Sequence, residues 1–152
     1  MELDRIISIS VSAVAIVLSI YNFNRSRTVT MYQDLDRLYQ ELLKLGIENP
    51  SFVNRSLTIN YNKNFTGDQK LQYELYAFMA WNVCETIYDR KSINNIFKTW
   101  ECIIKVENDL HRNWFDTEKN QHRFKGEFVN YIKQLTEQKN VPDRNIIPIE
   151  TH

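Results

Sequence analysis

Residues Ile6 to Asn24, IISISVSAVAIVLSIYNFN, carry no ionisable side chain other than the phenol of Tyr21, and Arg25 and Arg27 follow at once. Such a run leaves a chain few choices: a helix across a bilayer, a helix inside a protein core, or a cleaved leader. At ~1.5 Å per residue the run makes roughly 28 Å, close to the ~30 Å hydrocarbon thickness of a bilayer. Its four serines weaken the hydropathy, yet a serine hydroxyl can bond a carbonyl one turn back and so travels cheaply in a helix. The leader MELDR is not basic, and no small-x-small site closes the run, which argues against a signal peptide. The expectation is one N-terminal transmembrane helix, with a buried core helix as the alternative. Before the run the terminal amine and Arg5 offset Glu2 and Asp4, while Arg25 and Arg27 follow it, so the positive-inside rule places the rest of the chain in the cytoplasm. The implied location is the inner membrane, single-pass.

Three segments follow from this reading: an anchor over 1–27, a helical domain over 28–138 and a tail over 139–152. The chain has 152 residues and formal charge zero, so a single modest core is expected and non-specific attraction to nucleic acid is not. Three glycines and three prolines, mostly between periodic segments, favour a few long helices over many strands. Cys84 and Cys102, the only cysteines, both fall in apolar helical stripes and read as buried thiols. The sequons at Asn54 and Asn64 are incidental if this part is cytoplasmic.

Within the anchor, Ser8, Ser12, Ala15, Ser19 and Asn22 recur at steps of four and three, along one helix face. A small, hydroxylated face suits a close-packed seam between helices or the lining of a pore. The next helix shows Met31, Leu35, Leu38, Leu42 and Leu45 in line, with Gly46 as its expected C-cap and Pro50 beyond. It either continues the anchor directly or bends near Arg25 to Thr30. Residues 51–65 lack sustained periodicity, and a short strand is open there. A helix capped by Thr66 and Gln69 runs to about Arg90 through Leu71, Leu75, Phe78, Met79, Val83 and Ile87, and reads as the central core helix. A fourth, capped by Ser92, buries Ile93, Ile96, Phe97, Trp100, Ile103 and Ile104. The last carries Phe124, Phe128, Ile132 and Leu135. The fold class is all-α: one transmembrane helix plus a roughly four-helix bundle. In the tail, the apolar IIPI can dock on the body or on a neighbouring subunit.

Little chemistry is patterned into this chain. The three histidines form neither HExxH nor a Cys/His knuckle, no glycine-rich phosphate loop occurs, and neither a metal nor a cofactor is expected. Asn82 and Glu85, three apart on a helix face, read as a buried polar network that locks the bundle. Arg112 and His122 are the weak catalytic candidates, an arginine to steady phosphate and a histidine to carry a proton, with Asn113 and His111 beside them. Trp81, Trp100 and Trp114 read as core or interface anchors rather than base-stacking platforms.

The segments YELYAFMAWNVCETIYD, FKTWECIIKVENDLHRNWF and FKGEFVNYI resemble a diffuse group of small bacterial single-pass membrane proteins. That group includes the membrane pore accessory of type VI-B CRISPR systems, likened to a degenerate HEPN fold. The "RN" at Arg112 resembles the start of the HEPN ribonuclease motif, but nine residues separate it from His122, outside that motif's usual four to six. The resemblance implies an oligomeric membrane protein, pore-forming or membrane-perturbing in antiviral defence. Its partners would be the bilayer, further copies and a soluble defence protein. Two alternatives stand beside it: a membrane-tethered scaffold recruiting a soluble partner, and a divergent HEPN-like ribonuclease, the only reading with RNA as partner. Enzymatic activity is the weaker expectation.

Overall fold

Few glycines and prolines and many long side chains make helix the default state of this chain, and every regular element among the described residues is a helix. A computed structural model describes residues 2–139, apart from the side chains of 2–11, 13, 94, 138 and 139. Its helices are α1 (Glu2–Glu48), α2 (Arg55–Thr58), α3 (Tyr61–Asn64), α4 (Gly67–Tyr88), α5 (Asn94–Phe115), α6 (Glu118–Gln121) and α7 (Gly126–Lys139), with a 3₁₀ turn at Pro50–Val53. The all-α expectation holds. The strand left open in 51–65 is instead the 3₁₀ turn and two one-turn helices. The side chain of Ser8 and the IIPI segment lie outside the described residues. The chain forms two compact units, Met1–Lys44 and Leu45–His152.

The first unit is one helix, continuous through Arg25 to Thr30 because no glycine or proline interrupts it. Among the described residues no helix is long and apolar enough to cross a membrane. Between Val14 and Phe23 the large apolar side chains described on α1 are exposed. Arginines and acidic residues populate the helix beyond them. The transmembrane anchor, the bilayer as partner and the single-pass inner-membrane location are therefore set aside. Further along α1, Leu35 and Leu42 are buried, as their periodicity predicts.

In the second unit, Gly46 is not a cap. The helix passes through it to Glu48, and Asn49 N–H still reaches the Leu45 carbonyl at 3.0 Å. Its missing side chain has a spatial use: a Cβ there would stand 3.0 Å from Val53 Cγ1 and 3.1 Å from the Tyr76 hydroxyl. Proline at position 50 then starts the 3₁₀ turn, where an N–H is dispensable.

Helix α4 is the core helix, but on a rotated face. Its buried side chains are Tyr73, Tyr76, Ala77, Ala80, Trp81, Val83, Cys84, Ile87 and Tyr88. Leu71, Leu75 and Met79, expected inside, are exposed. Alanine and cysteine let α5 approach closely, while the tyrosines and Trp81 bury more apolar area than the leucines they displace. On α5 the expected stripe holds, with Ile96, Trp100 and Ile104 buried. Its N-cap is Ile93 rather than Ser92, and Cys102 is exposed while Cys84 is buried. Phe115, Phe124 and Phe128 close the core: Phe115 stacks on Trp81 at 4.1 Å between ring centroids, and Phe128 meets Trp81 edge-on at 6.1 Å.

The rotated face makes a direct prediction. Ile87→Ala, at a fully buried site, will cost about 2–5 kcal/mol in urea unfolding, whereas Leu75→Ala on the outer face will cost less than ~1 kcal/mol.

Candidate functional site

The buried stripe of α5, read through Ile96, Trp100 and Ile104, continues one turn further into Glu107 and His111. Both are sealed, at 4% and 0% exposure. His111 Nε2 stands 3.4 Å from Glu107 Oε2, and His111 Nδ1 lies 3.1 Å from the Tyr73 hydroxyl of α4. One proton between Nδ1 and the phenol satisfies that pair, whereas Nε2 and Oε2 face each other buried and without a hydrogen bond.

The backbone bends here. His111 has φ −121° and ψ 15°, a non-helical pair inside α5. Its carbonyl accepts the indole N–H of Trp81 at 3.3 Å. One residue thus ties α5 to α4 through both its ring and its backbone.

Burial sets the charge state. It drops His111 from its ordinary 6.5 to about 3 and raises Glu107 from 4.5 to about 7. The site is sealed from solvent, so each charged form loses solvation that a single neighbour at 3.4 Å does not replace. The Cys84 thiol is pushed well above its ordinary value by burial first, and then by the Glu107 carboxylate. Burial also raises the Tyr73 phenol, with Tyr61 and Tyr76 adding to the shift. Near pH 6 the cluster is a neutral, closed set of groups. It can fix the geometry of two helices; substrate has no path to it.

The weak catalytic candidates are placed apart from this cluster and share no partner with each other. The Arg112 guanidinium is clamped between α5 and α7: Nε and Nη2 each donate to Asp116 at 2.8 Å, and Nη1 donates to Thr136 Oγ1 at 2.7 Å and to the Ile132 carbonyl at 3.2 Å. His122 is exposed, with Glu118 at 3.8 Å. Asn113 donates to the Ile59 carbonyl just past α2. Asn82 and Glu85 are half-buried, and Glu85 Oε1 accepts the Lys125 backbone N–H at 2.7 Å, next to the start of α7. On α1, Ser19 Oγ donates to the Ala15 carbonyl at 2.8 Å and, like Ser12, Ala15 and Asn22, is exposed. Among the described residues, no group of three His, Cys, Asp or Glu side chains could hold a metal ion.

The Glu107–His111 pair was missed in the sequence although its signal is there. The two are four apart, in register with Ile96, Trp100 and Ile104, so extending the apolar stripe carries both inside.

A second feature lies on the outer side of α4. Leu45, Asn49, Phe52, Gln72, Leu75, Tyr76 and Met79 line an open groove of about 340 Å³, without a charged residue among them. Leu71, one turn before Leu75, extends its exposed edge.

No family, no characterised protein and no solved structure matches this chain. With nothing matched and no spanning helix among the described residues, the likeness to the pore accessory and to HEPN proteins does not stand, and the pore reading falls with it.

The buried pair predicts a specific pH signature. Glu107 has a raised folded pKa, so its contribution is full below 4.5 and lost as pH rises through about 7. His111 has a lowered one, so its contribution is full above 6.5 and lost as pH falls through about 3. The two slopes oppose between pH 4.5 and 6.5. Glu107→Gln removes one, so the stability of the variant relative to wild type will climb by ~1.4 kcal/mol per pH unit across that window. Urea unfolding at several pH values measures it; a flat difference contradicts the neutral pair.

Proposed function

We propose that the protein is an all-helical scaffold that recruits a protein partner, seating an amphipathic helix of that partner on the outer face of α4. The observation that carries this reading is the groove beside Leu75. Leu71, Leu75 and Met79 are 58%, 55% and 39% exposed and stand at four-residue steps. That spacing is the ridge by which one helix interdigitates with another. Phe52 and Tyr76 form the floor of the groove. Their rings are 5.7 Å apart by centroid, and Phe52 also packs on Phe65 and Tyr73, so the floor is rigid.

Partner chemistry follows from the lining. Six of the seven lining side chains belong to uncharged apolar or aromatic types or to Gln, and the seventh is Asn. The fitting segment therefore presents apolar anchors at i, i+4 and i+7, with neutral hydrogen-bonding groups at its edge for Asn49 and Gln72. Methionine at the rim adapts its shape to the anchor it meets. The opening spans two turns of α4, enough for a short helix. Exposed apolar area of this kind costs solubility unless something covers it.

The test uses a photo-crosslinking amino acid at position 75 of the full chain, followed by reconstitution of the captured protein in pure form. The expected result is a one-to-one complex that weakens at least ~10-fold, or ~1.4 kcal/mol, in Leu75→Glu and Met79→Glu, with unfolding midpoints unchanged. A reconstituted protein that binds wild type and variants alike, or no crosslink at that position, overturns the reading.

A further inference from the structure

The scaffold reading makes no use of the first half of α1, where seven large apolar side chains from Val14 to Phe23 are each 55–68% exposed. At about 100° per residue they sweep roughly 220° of the helix circumference, from Phe23 through Ile20 and Val17 round to Leu18. The remaining arc holds Ser12, Ala15, Ser19 and Asn22. An ordinary surface helix buries a stripe only ~100° wide, and one neighbouring helix covers one such stripe. Covering twice that arc takes two neighbours.

The charge and the area say what those neighbours are. From Ser12 to Asn24 the chain has no charged side chain, so identical segments meet without like-charge repulsion. The seven exposed side chains leave roughly 800 Å² of surface per chain, about 400 Å² toward each of two neighbours, so the two contacts together bury what a partner contributes to one standard specific interface. Every copy carries the same unsatisfied arc, and a closed ring gives each helix two identical neighbours. The smallest such ring has three members.

We propose that the first half of α1 joins three or more copies of this chain in a parallel helical bundle. The apolar arcs face one another in its interior, and Ser12, Ala15, Ser19 and Asn22 lie on its outside. Ser19 already spends its hydroxyl on the Ala15 carbonyl, so that side asks nothing of a partner. The assembly stands independently of the α4 groove, but it would display several grooves at once and raise the avidity of whatever they hold.

Light scattering of the full chain after size-exclusion chromatography tests it. The expected mass is at least three times the 18.2 kDa of one chain, falling to one chain in Val17→Glu/Ile20→Glu with helical circular dichroism retained. If that variant precipitates, oxidative crosslinking in a Cys102→Ser background decides instead. Val17→Cys is expected to give interchain disulfides, and Ser12→Cys far fewer. A wild-type monomer or strict dimer overturns the proposal. So does equal crosslinking at the two positions, or a monomer that co-floats with phosphatidylcholine vesicles.

Discussion

The contact between His111 and helix α4 is the constraint on which the body of this protein depends. A histidine in mid-helix normally costs little and does little. Here it is where α5 leaves helical geometry, and its carbonyl accepts the Trp81 indole N–H, while the ring bonds Tyr73 and faces Glu107 at 3.4 Å. The ring Nδ1 and the carbonyl are hydrogen-bonded, while Nε2 and Glu107 Oε2 are buried against each other without a bond. A polar cluster inside a low-dielectric core strengthens its own hydrogen bonds when complete and is costly when broken. Its neutrality matters as much as its geometry, because an ion pair would have to repay two desolvations from one contact.

Fixing the inner face of α4 fixes the outer one. Tyr73, Trp81 and Cys84 cannot turn without leaving buried polar atoms behind, so Leu71, Leu75 and Met79 are held toward the outside. Tyr76 serves both sides: its ring lies 5.4 Å from that of His111 and it also walls the outer groove. The groove is thus a rigid surface, which lowers the entropy a partner must lose on binding.

Much of this was legible in the chain itself. The helical class, the break at Pro50, the buried tryptophans, and the stripes of α5 and α7 all follow from period and punctuation. The rotated face of α4 did not, because leucine and methionine were weighted above tyrosine and alanine. Packing rewards large rings next to small residues. Of the capping residues, Thr66 stands at the N-cap as expected but makes no side-chain cap bond, and Gly46 sits inside its helix. Close approach of Val53 and Tyr76 explains that glycine, and such tertiary proximity leaves no local trace. The segment from Ile6 to Asn24 was read as a span from its length, its lack of charge and the arginines that follow it. In the structure it is the start of a 47-residue helix, whose exposed apolar arc calls for protein neighbours.

The neutral interior is the claim from which the fixed helix pair and its outer groove follow. Nitrogen-15 NMR of the His111 imidazole at pH 6 reads its protonation directly. The account predicts a neutral ring, with one protonated and one bare nitrogen, unchanged until the pH approaches about 3. An imidazolium with both nitrogens protonated at pH 6 would mean a buried ion pair with Glu107 and would contradict it.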